Sequence, residues 1–442
     1  MTFRRVVLIL GVVSLFAGRL EAQSLNLRDL LSDFFRQGIT LAEPPAGSPF
    51  PSHAHHFVGD ASLAPLEQLN SELAIQLSTF PLASSAGGFT YRLDPALGVF
   101  TRATDSFGPI YADRADTIGK GKFAIGVNFS HFSFNRIDDV SLRDGGVEIV
   151  LTHQDLPPAG CCLRPFFEGD VITTRTSLEI QTDITAFTFS YGVTDHLDVG
   201  AAIPVVKVQI RALTEATIDK LATGGSSSTV GIHRFPNGED SETFQQSGSA
   251  SGVGDVVLRA KYRAISGARA GLALGLDVRL PSGEERDLLG TGATQVKGFL
   301  IGSAHLGAFS PHVNGGYTWS SRNRPIPDEI DYTAGFDWAL GPRLTFIVDA
   351  LGRTLRKSQV LREVDTTFKY NVNPSTDPVD LRSTTLKQLV ATQQDATSFL
   401  GSVGFKINPV GNLLITVNGL FSLNNRGLQA RFAPLVGLDY SF

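Results

Sequence analysis

Apolar and polar residues alternate with a period of two through most of the chain after residue 122. In the segment 271–280, GLALGLDVRL, every second residue is Leu or Val, and the residues between them are Gly, Ala, Asp or Arg. Alternation of this kind predicts β-strands that have one apolar face and one small or charged face. A soluble sandwich would bury the apolar faces against each other, whereas a membrane barrel would turn them toward lipid.

The length and spacing of the alternating segments favour the barrel. Each segment runs for about 10–15 residues, which suits lipid-spanning strands of about 9–11 residues better than sandwich strands of about 5–6. We count twelve segments, near 122–135, 176–192, 197–211, 253–265, 270–282, 295–308, 312–321, 330–340, 343–355, 398–408, 412–423 and 428–442. Short turns such as 194–196 alternate with long or polar connections, roughly 136–175, 212–252, 283–294, 322–329 and 356–397. The sequence therefore predicts, over residues 122–442, an all-β transmembrane antiparallel barrel of about twelve strands with short periplasmic turns and long extracellular loops.

The N-terminal end predicts export. Arg4 and Arg5 precede an apolar run at 6–18 that is too short to span a bilayer as a helix, and Ala22 offers a small residue for cleavage. Residues 1–22 are therefore interpreted as a secretory signal peptide. The net charge of −5, with no basic run, excludes a nucleic-acid-binding protein. The expected location is the bacterial outer membrane.

Residues 23–121 lack the alternation of the barrel. Two apolar stripes with helical spacing predict two helices. The first stripe consists of Leu27, Leu30, Leu31 and Phe34, and the second consists of Leu66, Leu69, Leu73, Leu77 and Phe80. Residues 89–94 and 99–102 predict a small hairpin. A segment of this length ahead of a barrel lies in the periplasm or folds into the lumen as a plug, and the sequence leaves both arrangements open.

Several motifs resemble a known outer-membrane family. These are SFGPIYADRA at 106–115, GVGDVVLRAKY at 252–262, and VRLPSG at 278–283 with LLGTG at 288–292. They resemble the family called "MetA-pathway of phenol degradation", over about residues 85–442. The resemblance implies a barrel that takes up hydrophobic or aromatic compounds, as in hydrocarbon channels that have an N-terminal hatch. It implies no defined substrate.

The polar faces of the predicted strands carry charges of both signs. The residues expected to face the lumen and line a substrate path are Asp255, Arg259, Lys261, Arg263, Asp277, Arg279, Asp337, Asp349 and Arg353, and further candidates are Lys297, Lys406, Arg431 and Asp439. Such charges set selectivity through local fields, or they pair across strands and satisfy a polar interior. Because the two signs are nearly balanced, pairing is the favoured interpretation.

Two short segments outside the predicted strands carry residues that bind metals or oxidise. His53, His55 and His56 could bind a metal, but one tract without a Cys or carboxylate partner is typical of a solvated linker. Adjacent Cα atoms are about 3.8 Å apart, closer than disulfides usually allow. Cys161 and Cys162 are therefore expected to be free or cross-linked between chains. No cofactor or metal is predicted.

An enzyme is the alternative to a channel, because some twelve-stranded outer-membrane barrels are phospholipases with a Ser/His pair on the outer wall. His131 is expected to face outward here, but no outward Ser lies beside it in the sequence, and the motif G-x-S-x-G does not occur. No catalytic residue is therefore predicted. The function predicted is passive passage of a small, hydrophobic or aromatic solute, with a non-conducting structural or lipid-modifying barrel as the alternative.

The chain ends in Phe442, which follows Tyr440, Leu438 and Val436 on one face of the last strand. This ending resembles the one that bacterial barrel-assembly machinery favours. The expected partners are therefore that machinery, outer-membrane lipid and a small hydrophobic solute.

Overall fold

The computed structural model describes residues 26–37, 39–44, 46, 52, 54, 57, 60–78, 88–94, 99–102, 104–153, 169–223, 233–267, 269–321, 326–372 and 380–442. Within these ranges lie two α-helices, α1 (Leu30–Gln37) and α2 (Asp60–Ser78), and a 3₁₀ helix at Glu285–Asp287. The strands are β1 (Tyr91–Asp94), β2 (Val99–Arg102), β3 (Phe123–Ile137), β4 (Val140–Ser141), β5 (Val147–Thr152), β6 (Val171–Gly192), β7 (Leu197–Asp219), β8 (Ser241–Val253), β9 (Val257–Ser266), β10 (Ala270–Arg279), β11 (Gln295–Ala304), β12 (Phe309–Ser320), β13 (Glu329–Gly341), β14 (Leu344–Asn371), β15 (Leu381–Ile407), β16 (Leu413–Ser422), β17 (Leu428–Ala430) and β18 (Ala433–Ser441).

Twelve strands form one closed antiparallel ring. The ring consists of β3, β6, β7, β9 to β16 and β18, and it closes because β3 pairs with β18 on one edge and with β6 on the other. Each of the twelve predicted segments overlaps one of these strands, so the predicted barrel is confirmed. Closure leaves the ring without an open edge, as hydrocarbon requires, because lipid cannot hydrogen-bond to unpaired backbone groups.

The outward face of the ring is apolar. On β10, Leu272, Leu274 and Leu276 are 51%, 50% and 48% exposed, whereas Ala273 between them is 1% exposed and Asp277 is 8% exposed. The same parity holds on β18, where the outward residues are Pro434, Val436, Leu438 and Tyr440. An apolar outer belt around a polar interior is the pattern of a barrel that is solvated by lipid.

The two faces exchange character part-way along β6, although its pairing with β7 is unbroken. The outward residues change from Tyr191 and Phe187 near the periplasmic turn to Asp183 and Glu179 farther out. The inward face becomes apolar over the same distance, and the buried residues there include Ile172, Leu178, Ile180 and Ile184. The outer border of the membrane therefore lies near Asp183, and beyond it the sheet is apolar inside and polar outside.

Strand extends beyond the predicted segments into three of the long connections, 136–175, 212–252 and 356–397. β14 and β15 have 28 and 27 residues and stay paired out to Asn371 and Leu381. β5 and β8 lie within the predicted loops 136–175 and 212–252. Their inner parts enclose an apolar core that reaches Leu361 and Leu389, whereas residues 363–367 and 381–383 are exposed.

Helices α1 and α2 lie inside that extracellular core. Leu30, Leu31 and Phe35 of α1 and Leu69 and Leu73 of α2 are each at most 1% exposed. They cluster with buried apolar residues of β3, β5, β6 and β7. Burial of these side chains stabilises short helices that would be marginal alone in water.

The packing of α1 against β8 depends on a glycine. A Cβ atom at Gly248 would lie 2.6 Å from terminal methyl groups of both Leu27 and Leu30, so any larger residue would force these two side chains to shift.

The remaining predictions for the N-terminal segment have mixed outcomes. Both helices are present, and β1 pairs with β2 as the predicted hairpin. Several predictions fall on residues that the structure does not describe. These are the signal peptide at 1–22, the three histidines at 53, 55 and 56, the two cysteines, and the side chains of Leu66 and Phe80. No helix in the described part of the chain is long and apolar enough to cross a membrane.

Candidate functional site in the barrel lumen

Residues 104–121, between the β1–β2 hairpin and β3, have no regular secondary structure. We call this segment the strap. Residues 106–110 and 112–119 of the strap are buried. Buried backbone groups need hydrogen-bond partners, and an irregular segment cannot supply its own. The inward side chains of the barrel wall provide these partners.

One set of partners comes from β14 and β15. The backbone nitrogen of Phe107 donates to Thr345 Oγ1 at 3.0 Å. Lys406 Nζ donates to the carbonyl oxygens of Phe107, at 3.3 Å, and of Pro109, at 2.6 Å. A lysine that donates to two carbonyls keeps its ammonium group solvated by the protein although the side chain is buried.

A second set comes from β9 and β11 on the opposite side of the lumen. Lys261 Nζ donates to the carbonyl oxygens of Arg114, at 3.3 Å, and of Asp116, at 2.7 Å. Ser303 Oγ accepts from the backbone nitrogen of Ala115 at 3.0 Å. Two lysines on opposite walls therefore hold the strap by its carbonyl groups.

The end of the strap that approaches β3 is held by charged side chains. The Asp116 carboxylate lies 2.6 Å from His305 Nε2 and 3.7 Å from Arg263. Asp198 of β7 accepts from the backbone nitrogen of Ile118 at 3.0 Å. These contacts place the strap across the periplasmic half of the lumen, close to the turn between β6 and β7.

Arg259 lies at the centre of the site. Its Nε and Nη2 atoms donate to the two carboxylate oxygens of Asp277 at 2.7 and 2.6 Å, and Nη1 donates to Asp113 of the strap at 2.9 Å. The guanidinium carbon lies 5.3 Å from the centre of the Phe299 ring. The planar fork of an arginine matches a carboxylate with two parallel hydrogen bonds, so Asp277 fixes its orientation.

A histidine is enclosed by two carboxylates beneath the strap. His312 Nε2 lies 2.6 Å from Asp349, and Nδ1 lies 3.4 Å from Asp337. The other Asp349 oxygen accepts from the backbone nitrogen of Tyr111 at 3.4 Å, and Arg114 Nη2 lies 3.9 Å from Asp337. The side chains of His312, Asp337 and Asp349 are thereby tied to the strap and kept from the open lumen.

A cavity of about 190 Å³ lies between Tyr111 of the strap and Gln76 of α2. Its charged lining residues are Arg259, Asp277, Arg279, Lys297, Glu329, Asp331, Arg353 and Arg426. Its apolar lining includes Tyr111, Val257, Leu351, Leu400 and Leu428. Most of the charged lining residues thus lie on β9 to β14, and apolar residues lie among and beside them.

Ion pairs organise the charged wall. Lys297 lies 2.6 Å from Asp331, and Arg353 Nε donates to Glu329 at 2.7 Å. These pairs join neighbouring or next-but-one strands of the ring, as the cross-strand interpretation of the lumen charges predicts.

The extracellular end of the cavity is held by α2. Glu72, 2% exposed, accepts from Ser358 Oγ at 2.9 Å and from the backbone nitrogen of Gln359 at 3.0 Å. Gln76 Oε1 accepts from the backbone nitrogen of Leu428 at 2.9 Å. Burial raises the pKa of Glu72 to about 7.

Asp138, at the outer end of β3, completes this arrangement. It accepts from the backbone nitrogens of Leu361, at 3.0 Å, and of Gly427, at 2.9 Å, and burial raises its pKa. We call Glu72, Gln76 and Asp138 the outer clasp. It joins α2 and β3 to backbone groups of β14 and of the loop before β17.

The lumen residues predicted from sequence fall into three groups. Those that line the cavity are Arg259, Asp277, Arg279 and Arg353, and those that lie under or against the strap are Lys261, Arg263, Asp337 and Asp349. Asp255 instead accepts from the backbone nitrogens of Gly283, at 3.1 Å, and Thr291, at 2.8 Å. It therefore holds the connection between β10 and β11.

The four further candidates also divide. Lys297 lines the cavity, and Lys406 binds the strap. Asp439 is half-buried on the inward face of β18, whereas Arg431 is exposed in the bend between β17 and β18.

Sequence reasoning missed the residues that the strap contributes. Asp113 and Asp116 bind wall residues, and Glu329 and Asp331 of β13 line the cavity. The clustered charges in ADRAD at 112–116, just ahead of the first barrel strand, were an available signal for the strap. For Glu329 and Asp331, the available signal was the alternation of β13, which places both residues on its inward face.

The closed ring, its apolar outer belt and its polar interior define a bacterial outer-membrane β-barrel. The chain belongs to the family described as "MetA-pathway of phenol degradation", which matches residues 164–427. The resemblance seen in the sequence motifs is therefore confirmed.

Solved structures of outer-membrane proteins are similar to this chain. An outer-membrane channel from Pseudomonas putida F1 is 12% identical, with 74% of this chain and 98% of that chain covered and a TM-score of 0.44. A FadL homologue from Pseudomonas aeruginosa is 10% identical (81% and 96% covered, TM-score 0.32). The toluene transporter TbuX from Ralstonia pickettii is 14% identical (83% and 99% covered, TM-score 0.31). No curated protein matches the chain.

Proposed function

We propose that this chain is a channel for passive passage of a small solute that has an apolar or aromatic body. The observation that carries the proposal is the cavity of about 190 Å³ inside the ring. An eight-stranded barrel is nearly filled by its own side chains. This ring of twelve strands has room for an N-terminal segment and still encloses a solute-sized space.

We further propose that residues 23–121 form a plug, with the strap as its inner barrier and α2 as its outer barrier. The supporting contacts are polar, since Lys261 and Lys406 hold the strap by carbonyl groups and Glu72 holds α2 by a backbone N–H group. Water can replace each of these hydrogen bonds. Because α2 also shares the apolar core through Leu69 and Leu73, its separation costs more than that of the strap, and the strap is the barrier that opens first.

Single-channel conductance in a planar bilayer tests both parts of the proposal. Residues 23–442 are compared with residues 122–442, which keep the complete ring. We expect the longer chain to stay closed or nearly so and the shorter chain to form a stable open pore. A strap variant, Asp105→Asn, serves as the control because Asp105 is exposed.

The other outcomes discriminate between the parts. Equal conductance of the two chains would show that residues 23–121 do not plug the lumen, and the protein would then be a plain channel. If neither chain conducts, the channel proposal fails, and a structural or lipid-modifying barrel becomes the better explanation. Solute flux into proteoliposomes that is linear in concentration and needs no ion gradient would show passive passage.

A further inference from the structure

Arg259 borders two spaces at once. It lines the cavity, and it also lines the narrow space around the strap, where its neighbours include Asp113 and Lys261. The Arg259–Asp113 ion pair at 2.9 Å therefore separates the cavity from the periplasmic half of the lumen. Any group that takes the place of Asp113 on Arg259 acts directly on the strap.

The guanidinium is already oriented for one more carboxylate. Asp277 accepts from Nε and Nη2, and the Phe299 ring lies 5.3 Å from the guanidinium carbon. The Nη1 edge is the part that meets Asp113. Because the wall holds the other donors, this edge keeps its direction whether or not Asp113 is in place.

The cavity limits the size and character of a competing anion. Its volume is about 190 Å³, and an apolar cavity of about 150 Å³ is known to hold benzene. Tyr111, Leu351 and Leu428 supply apolar surface, while Arg259 and Arg279 supply cationic surface. A solute with one ring, or an aliphatic body of that size, and one carboxylate matches both surfaces.

We propose that the cavity binds a small carboxylate with an apolar body of about one ring, and that its carboxylate replaces Asp113 on Arg259 and so loosens the strap at that point. This inference rests on the proposed channel function and names its solute class and its opening step. No bond other than hydrogen bonds changes: Arg259 exchanges one carboxylate for another, and Asp113 gives up its ion pair with Arg259.

The first test is calorimetric titration of the full chain in detergent with benzoate, benzyl alcohol and benzylamine. The three probes share one ring and differ in charge. We expect benzoate to bind at least about tenfold more tightly than the other two, because only benzoate offers a charge-assisted bond to Arg259. Equal binding of the three probes would overturn the proposed solute class.

Two variants test the competition. Asp113→Asn removes the competing carboxylate and should tighten benzoate binding by about tenfold, whereas Arg259→Lys, which cannot form the fork, should weaken it by at least about tenfold. Asp331→Asn is the matched control, because it removes one negative charge from the cavity lining without touching Arg259. If Asp331→Asn tightens binding as much as Asp113→Asn does, the effect is general electrostatics and the competition is wrong.

Hydrogen exchange of the strap amides tests the release. Benzoate should speed exchange at Phe107, Tyr111 and Ala115 in the full chain, and Asp113→Asn should do so without benzoate. Unchanged exchange on benzoate binding would leave a binding site that does not act on the strap and would overturn the release step. If residues 122–442 conduct but benzoate does not bind the full chain, the channel stands and only this inference fails.

Discussion

The carboxylate of Glu72 on α2 accepts a hydrogen bond from the backbone nitrogen of Gln359, 3.0 Å away on β14. Glu72 is 2% exposed. Burial is the main cause of its raised pKa, and the negative charge of Asp138 raises that pKa further. Burial and the nearby carboxylate favour the protonated form of Glu72, and they outweigh the hydrogen-bond donors Ser358 and Gln359, which favour the ionised form. The outer clasp is therefore sensitive to pH.

We predict that docking of α2 weakens as the pH rises. The pKa of Glu72 is raised from 4.5 to about 7, so its contribution is complete below pH 4.5 and is lost as the pH approaches 7. The full effect is roughly 3 kcal/mol. Hydrogen exchange of the α2 amides, corrected for intrinsic rates between pH 4.5 and 8, measures it. Glu72→Gln should remove the pH dependence, whereas Glu67→Gln, on the exposed side of α2, should keep it.

We predict that loss of the Lys406 ammonium group loosens the strap. Lys406→Met removes the donor to Phe107 and Pro109, which should destabilise the docked strap by about 1.5–3 kcal/mol. Single-channel recording should then show more frequent opening. Lys207→Met, an exposed position on the outward face of β7, is the control. Identical recordings from both variants would show that this lysine does not hold the barrier.

We predict that a charge on the apolar belt is far costlier than one beyond the membrane border. Leu274→Arg places a cation on the lipid face and should lower the free energy of unfolding by about 2–4 kcal/mol if the position is near the midplane. Gln209→Arg, on the polar outward face of β7, should change it little. Guanidinium unfolding from phospholipid vesicles measures both. A similar loss at both positions would refute the border near Asp183.

We predict opposite tolerance at two neighbouring glycines. A Cβ atom at Gly275 would lie 2.1 Å from the Phe299 ring, whereas a Cβ atom at Gly298 would meet nothing within 4 Å. Gly275→Ala should therefore destabilise the barrel by about 1–3 kcal/mol. It should also shift Phe299 away from Arg259. Gly298→Ala should be neutral, and the same unfolding measurement compares the two variants.

The ring and the direction of its faces were predictable from sequence because both depend on local alternation. Leu274 and Asp277 differ in parity within one strand, so one faces lipid and the other faces the lumen wherever that strand pairs. The extensions of β14 and β15 were missed because their outward residues are polar, and polar alternation without an apolar belt looks like a loop. The core beneath their inner parts, with α1 and α2 inside, and the continuous pairing of β14 with β15 make those segments strands.

The sequence by itself determined a closed outer-membrane barrel, its approximate strand number and the inward position of the lumen charges. Tertiary structure alone decided what those charges contact. Lys406 binds a carbonyl 297 residues away in the chain, and Arg259 binds a carboxylate 146 residues away. No periodicity connects such positions, because the strap has no repeat and its path is set by the hydrogen bonds that the folded wall offers to its backbone. The cavity and the path of the strap exist only once those bonds have formed.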